Sequence, residues 1–468
     1  MQALRSFKPL SAQATHDFYG SFKSSSPLSL FIPTLFIPKS NKGTSSPSPL
    51  TFPFSTVPNH HLPLHSPETI LVLRSIHAFE TLYLTRSTNR LTESVSTSFS
   101  ISSSISSSFT SRAPTFPGPN EGLAAARAVV NELDAARFDP LLVKAVAKGA
   151  ARAVEGFVGK ADALIARDHS ATSMLGPVET PSQHGNAEIA SSLYHLWSPL
   201  HRALSDHTDS VREILRPAVD SIRTAYLSIS NPLIMSIRRE FSAIITRMHR
   251  VDYSKNTSPP AMGANASTSS YMVDLTERLT FVREELLASY RVGDLAKEWA
   301  LDLARFTVQT FVLHASIIKA LGEAGKLKLT SETTSLEFAI SQYLSSHSLA
   351  LSSMGDQFKA LRVFRPLLFL DNTQLTTPSH TNDVPTLILL HHILSRSVLP
   401  LPHQTHGWTE AEYVKWLNEH GEVDRLKLIE NTLVEWEEKG GREKVAEKER
   451  KEGDESVKVL RMVLQARK

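Results

Sequence analysis

The stretch of more than one hundred residues without proline, between Pro260 and Pro366, is the feature that most constrains the fold. Because proline is the strongest helix breaker, its absence permits long helices here. Apolar residues in this stretch recur three or four positions apart, as they do along one face of a helix. One run holds Trp299, Leu303, Phe306, Leu313, Ile317 and Leu321, and the preceding run holds Met272, Leu275, Leu279, Val282, Leu286 and Tyr290. The pattern predicts two amphipathic helices.

Further helices are predicted on either side of these two. Asn231-Pro232 has the form of a helix start, since asparagine can cap free amides and proline suits the first helical position. The spacing of Thr334 and Glu337 is that of a capping box before a short helix through Leu344. Residues 211–229 and 234–248 also carry apolar stripes. No stretch shows sustained two-residue alternation with hairpin turns. The sequence therefore predicts an all-α fold.

Residues 1–118 differ in composition from the remainder. They hold 26 serines and 12 of the chain's 26 prolines, with 9 Lys+Arg against 4 Asp+Glu. Such a composition does not bury enough apolar surface to form a core. Three interpretations of residues 1–118 compete. The segment is a disordered tail, or it is a transit peptide, which the prolines disfavour. The third interpretation is translated non-coding sequence in place of the true N-terminal portion.

The remainder divides into two predicted parts: a helical bundle rod over residues 119–400, and a C-terminal helical segment with a charged tail over residues 401–468. Connecting loops are expected at residues 176–185, 252–270 and 371–383. The tail from Glu435 to Glu455 mixes both charge signs, which is typical of a solvated helix or a linker. After it, Val457, Leu460, Val463 and Leu464 have the spacing to dock a last helix.

The composition of the whole chain excludes several function classes. The chain has no cysteine, so disulfide scaffolds, Cys-ligated metals and thiol catalysis are excluded. The formal net charge of +3 over 468 residues argues against nucleic-acid binding, which needs a basic excess. Apolar runs are far shorter than the roughly 20 residues that a membrane span needs.

Gly322–Lys326 is the segment that most resembles a phosphate-binding loop. That loop needs four residues between its glycines and a Ser or Thr after its lysine, to hold magnesium. Here two residues separate Gly322 from Gly325, and Leu327 follows the lysine. We instead expect a turn between helices in which glycine supplies a positive φ.

Four histidines, His391, His392, His403 and His406, are the candidates for a metal site. Adjacent helical residues point about 100° apart, so His391 and His392 do not share a face. No HExxH motif and no converging carboxylates accompany them, so partly buried or surface histidines are expected. The chain also lacks a G-x-S-x-G elbow and an aspartate-rich DDxxD cluster. No catalytic, cofactor-binding or metal-ligating residue is therefore predicted.

The amino-acid sequences of several segments are distinctive enough to compare with known families. Phe306–Phe338 reads FTVQTFVLHASIIKALGEAGKLKLTSETTSLEF, and Ala360–Leu370 reads ALRVFRPLLFL. The supporting segments are Ala190–Leu200, Tyr271–Leu279, Val384–Pro402 and Gly407–His420. Together they resemble the C-terminal half of the subunit 5 family of the conserved oligomeric Golgi complex, over roughly residues 121–440. Residues 1–118 show nothing like that family's helical N-terminal region.

This resemblance implies a non-enzymatic subunit of a vesicle-tethering complex, built as an elongated rod of stacked helical bundles. It would lie peripherally on the cytosolic face of Golgi membranes and tether retrograde vesicles in intra-Golgi transport. The implied partners are the other subunits, subunit 7 foremost, together with SNAREs, Rabs and coiled-coil tethers. No cofactor and no nucleic acid are implied. The alternatives are a helical rod of another tethering complex such as exocyst, and an all-helical enzyme with an unrecognised site.

The densest apolar cluster is Phe364, Leu367, Leu368, Phe369 and Leu370. Core packing and partner binding both use apolar stripes, so the sequence alone does not separate the two roles. We expect the core role for this cluster. Arg365-Pro366 within it is expected to bend or end the helix.

Overall fold

The computed structural model describes residues 67–100, 116–254, 269–375, 377–438 and 447–467. In these ranges helices account for the regular structure, and no strand occurs, so the all-α prediction is confirmed. No helix in the same ranges is long and apolar enough to cross a membrane. The helices are α1 Pro67–Phe99, α2 Pro119–Ala135, α3 Pro140–Leu164, α4 Pro181–Asp206, α5 Asp209–Thr246, α6 Ser270–Phe281, α7 Asp294–Ser316, α8 Glu323–Ser345, α9 Asp356–Leu367, α10 Asn372–Leu375, α11 Pro378–Thr381, α12 Thr386–Arg396, α13 Pro402–His406, α14 Glu410–Glu419, α15 Glu422–Glu438 and α16 Glu447–Ala466.

Local sequence signals place the starts of several helices. Asp139 caps α3 by accepting the backbone N–H of Leu141 at 2.9 Å, and Pro140 fills the first position. Thr180 and Gln183 form a capping box at the start of α4. The predicted loop over residues 176–185 therefore ends early, because these signals start the helix at Pro181.

The helices pack through their apolar stripes into a continuous core. Helix α2 packs against α4, α3 against α5, and α5 against α7, which also contacts α8, α9, α12 and α14. Phe157, Phe241 and Phe311 are fully buried in this core. The last helix, α16, packs against α12 and buries Val457 and Leu460, as predicted.

Helix α1 was not predicted. It lies within the serine-rich stretch, yet its C-terminal half packs against α2 and α3. Leu91 and Val95 are buried, and the rings of Phe99 and Phe157 lie 4.9 Å apart. Arg90 Nε lies 3.0 Å from Glu132 Oε1 of α2. Because the buried face of α1 includes small residues, the amino-acid composition does not reveal its apolar stripe. Residues 1–66 and 101–115 lie outside the described residues, and the divisions at residues 118 and 400 stay predictions.

Four predicted helix boundaries are wrong. The predicted helix from Trp299 to Leu321 ends earlier, because α7 stops at Ser316 and leaves Ile317 and Leu321 beyond its end. Asn231-Pro232 does not begin a helix, since α5 runs through it. The burial of residues on both sides of Pro232 stabilises α5 by more than the roughly 3 kcal/mol that an internal proline costs. The run from Met272 to Tyr290 is not one helix, because a π turn over Val282–Leu286 and a 3₁₀ turn follow α6. Thr334 is no cap, as it lies mid-way along α8.

Candidate functional site

The glycines of the Gly322–Lys326 segment have structural roles. Gly322 precedes α8 with φ of −76°, so the predicted positive φ is wrong; Ala320 has it instead, at 57°. Gly325 lies within α8, where an added Cβ would come 2.0 Å from the backbone oxygen of Tyr253. Only glycine permits this close approach. Lys326 Nζ lies 2.7 Å from Glu323 Oε1.

His391 and His392 are fully buried, rather than partly buried or on the surface as predicted. The Ser316 hydroxyl donates to the backbone oxygen of Leu313 at 2.8 Å, so its oxygen is left to accept from His391 Nδ1, 2.9 Å away. His391 Nε2 then accepts from the Tyr413 hydroxyl at 2.8 Å. Burial, and secondarily His403, lowers the pKa of His391 to about 3. Both ring nitrogens are engaged, which leaves no lone pair for a metal.

A second histidine pair joins α7 to the turn after α5. His249 Nε2 lies 3.0 Å from His314 Nδ1, and His314 Nε2 lies 3.4 Å from Thr246 Oγ1. Burial, and secondarily the neighbouring His249, lowers the pKa of His314 to about 3. No group of three or more His, Asp or Glu placed to hold a metal ion occurs among the described residues.

A cavity of about 240 Å³ opens beside this pair. His249, Lys319, His403 and Glu410 contribute its polar walls, and Ile317, Ile318 and Leu401 are among its apolar ones. Lys319 Nζ donates to the backbone oxygen of Leu399 at 2.9 Å. The lining residues come from several separate elements, so no spacing in the sequence signals this cavity.

Glu332 of α8 is a buried carboxylate that no local sequence pattern reveals. Glu332 of α8 accepts hydrogen bonds from the hydroxyls of Tyr253 at 2.8 Å, Tyr271 at 2.7 Å, and Ser269. Tyr253 and Ser269 stand on either side of residues 255–268, so this carboxylate ties both flanks to α8. Burial, and then the Glu332 charge, raises the pKa of both tyrosines.

The apolar cluster after Arg362 belongs to the core, as expected. Phe364, Leu367 and Leu368 are buried, and α9 ends at Leu367 directly after Pro366. Phe369 alone is markedly exposed, at 45%.

Large apolar side chains on the surface are the remaining candidates for a functional site. A few isolated exposed apolar side chains are normal for any protein, so only sets that share a helix face indicate a binding surface. Among the described residues three sets do so: one on the first half of α1, one on α8 and one on α15. They are Ile76, Phe79 and Leu82 on α1, Leu327 and Phe338 on α8, and Val423 and Val434 on α15.

Comparison with known proteins was decisive. No protein-family model matches the chain, and no solved structure matches it significantly. The chain is 26% identical over 378 residues to conserved oligomeric Golgi complex subunit 5 of Mus musculus. It is similar to this subunit. The resemblance predicted from the sequence is thereby confirmed.

The similarity to conserved oligomeric Golgi complex subunit 5 extends across distant organisms. The Arabidopsis thaliana subunit 5 is 25% identical over 320 residues, and the Drosophila melanogaster one 24% over 336. The alignments cover 79%, 66% and 68% of this chain, for mouse, Arabidopsis and fly in turn. They cover 44%, 37% and 43% of the respective relatives. The chain thus spans less than half the length of the curated relatives it matches.

Proposed function

We propose that this chain acts as a subunit of the conserved oligomeric Golgi complex and tethers retrograde vesicles in intra-Golgi transport through protein–protein contacts. The similarity to mouse subunit 5 over 378 residues carries the proposal. The helical architecture supports it, because stacked amphipathic helices offer long surfaces to partner helices. The chemistry of the described polar clusters agrees as well, since their hydrogen bonds lie within the fold.

The contacts are made by apolar side chains on exposed helix faces. Each Leu or Phe that a partner buries fully contributes about 1.5–3 kcal/mol, so a few such residues suffice for specific binding. The partners are the other subunits of the complex, subunit 7 foremost, followed by SNAREs, Rabs and coiled-coil tethers. The place of action is the cytosolic face of Golgi membranes, with the chain bound peripherally and doing no catalysis.

Affinity capture of the full chain from cells, with quantitative mass spectrometry, tests the proposal. We expect the other subunits of the conserved oligomeric Golgi complex to be recovered together, in similar amounts. Recovery of exocyst subunits in their place would show that the chain belongs to that complex instead. No observation favours exocyst at present, because the four curated matches all carry the name of subunit 5. A chain that recruits neither complex would refute the proposal.

A further inference from the structure

The turn between α2 and α3 carries the most exposed large apolar side chain of the described residues. This is Phe138, which is 91% exposed, and Leu141 in the first turn of α3 is 74% exposed. The backbone amides of Arg137 and Asp139 donate to the oxygens three residues earlier, at 3.2 Å and 3.1 Å. These bonds fix the backbone on both sides of Phe138, so its ring is held away from the core.

A row of basic residues begins beside these two side chains and continues along α3. Lys148 and Arg152 are exposed and lie within about 20° of Leu141 around the helix, because successive residues turn by about 100°. Lys144 is half-buried and lies within about 60° of the same direction. No acidic residue occurs between Pro140 and Val154. We call the following set the basic corner: Arg137, Phe138, Leu141, Lys144, Lys148 and Arg152.

The four cations of the basic corner have no counter-ion among the described residues. None of them forms an ion pair or a side-chain hydrogen bond there. Asp139 Oδ1 instead accepts the backbone N–H groups of Leu141 and Leu142, at 2.9 Å and 3.1 Å. The exposed Asp134 and Glu155 lie before and after the set. The basic corner therefore presents positive charge that the fold itself leaves unmatched.

Helix α1 brings further apolar surface to the same end of α3. An added Cβ at Gly149 would lie 3.7 Å from Thr88 Oγ1. Farther along both helices Phe99 contacts Phe157, so α1 runs beside α3 in the same direction. The half of α1 that precedes Thr88 therefore extends toward the N-terminal end of α3, where Leu141 lies. The exposed apolar residues of that half are Ile76, Phe79 and Leu82.

We propose that the basic corner binds the surface of an anionic lipid bilayer, with its two apolar side chains inserted at the level of the headgroups and its cations beside lipid phosphates. This inference rests on the proposed function and names the surface through which the chain is held peripherally. Charge complementarity selects this occupant, because exposed Lys and Arg beside Phe and Leu favour anionic membranes. A fluid bilayer also accommodates the projecting Phe138 ring without a preformed pocket, which a protein partner would have to supply.

Co-flotation of the purified full chain with lipid vesicles tests the inference. One set of vesicles contains phosphatidylcholine and phosphatidylserine, and the other contains phosphatidylcholine alone. Each basic residue beside an anionic surface strengthens binding about fivefold, so Lys148→Gln/Arg152→Gln should weaken binding about 25-fold. Phe138→Ser removes the larger inserted side chain and should weaken binding about tenfold or more.

Each test variant has a matched control elsewhere on the surface. Lys415→Gln/Lys427→Gln removes the same charge from exposed positions of α14 and α15. Phe338→Ser removes a phenylalanine of α8 that is 64% exposed. Charges farther than a Debye length from the bilayer contribute little, so both controls should bind within about threefold of wild type. All these sites lie on the surface, so far-UV circular dichroism should show the wild-type helix content in every variant.

We expect the wild-type chain to float with the anionic vesicles alone, less so as salt is raised, and both basic-corner variants to lose this binding. Equal binding to the neutral vesicles, or no binding to either kind, would overturn the inference. Binding that both test variants retain would overturn it as well. If Lys148→Gln/Arg152→Gln lost a protein partner in affinity capture but bound vesicles as wild type does, the occupant would be an acidic protein instead. All these results leave the proposed function standing, because that depends on recovery of the other subunits.

Discussion

The contact between α2 and α4 gives the sharpest test of the packing. Gly122 of α2 is buried, and an added Cβ there would lie 2.0 Å from the backbone oxygen of Ser192 in α4. Real Cβ contacts are never so short, so Gly122→Ala must push the two helices apart by about 1 Å. Such overpacking costs about 1–3 kcal/mol, and the better helix propensity of alanine returns up to about 1 kcal/mol. We expect a net loss of about 1–2 kcal/mol in the free energy of unfolding.

Gly159→Ala is the matched control for this measurement. Gly159 lies in the interior of α3, and an added Cβ there meets nothing within 4 Å. The same substitution should therefore raise the free energy of unfolding by about 0.5–1 kcal/mol. Urea titration followed by far-UV circular dichroism measures both variants against wild type. If Gly122→Ala were as stable as Gly159→Ala, the close approach of α2 and α4 would be wrong.

Two further predictions concern buried polar groups. Between about pH 6.5 and about pH 3 the unfolded chain binds a proton at His391 that the folded chain does not, because the folded pKa is about 3. Stability should fall with falling pH, by up to about 1.4 kcal/mol per unit from this imidazole, and His391→Gln should make that loss shallower. Glu332→Ala should lower the free energy of unfolding by about 2–4 kcal/mol, because two buried tyrosine hydroxyls lose their acceptor.

Each of these two predictions has its own control. Urea titrations at several pH values should show the shallower slope for His391→Gln, while the exposed His77→Gln leaves it unchanged; equal slopes would contradict the assigned burial of His391. Glu332→Gln keeps an acceptor oxygen and should cost about half as much as Glu332→Ala. If Glu332→Ala had the same free energy of unfolding as wild type, the Glu332 carboxylate would not stabilise the fold.

Periodicity in the sequence was enough to predict much of the helical core. The predicted stripe lies on α7 from Trp299 to Leu313, while its last two members, Ile317 and Leu321, follow the end of that helix. The docking of the last helix through Val457 and Leu460 is as predicted. Both follow from local spacing, because an apolar face must be buried. Helix α1 was missed because its buried positions include Ser87 and Ser98, which composition does not mark as a core face.

The polar clusters could not be predicted, for a different reason. His314 and His391 meet partners more than sixty residues away in the chain, so no local pattern reveals them. The exposed positions of Leu327 and Phe338 on α8 are also invisible until burial separates them from neighbours such as Leu329. In the sequence all three are apolar residues of one helix. Only the packing of α8 against α6, α7 and α9 shows which of them stay exposed.

The mass of the purified chain mixed with the purified remaining subunits of the conserved oligomeric Golgi complex tests the central claim most directly. Size-exclusion chromatography with light scattering gives that mass. The chain should elute with at least one subunit as a stoichiometric assembly, because its proposed role is contact with other proteins. Separate elution of the chain, at its own mass of 51.7 kDa under all mixtures, would contradict the account.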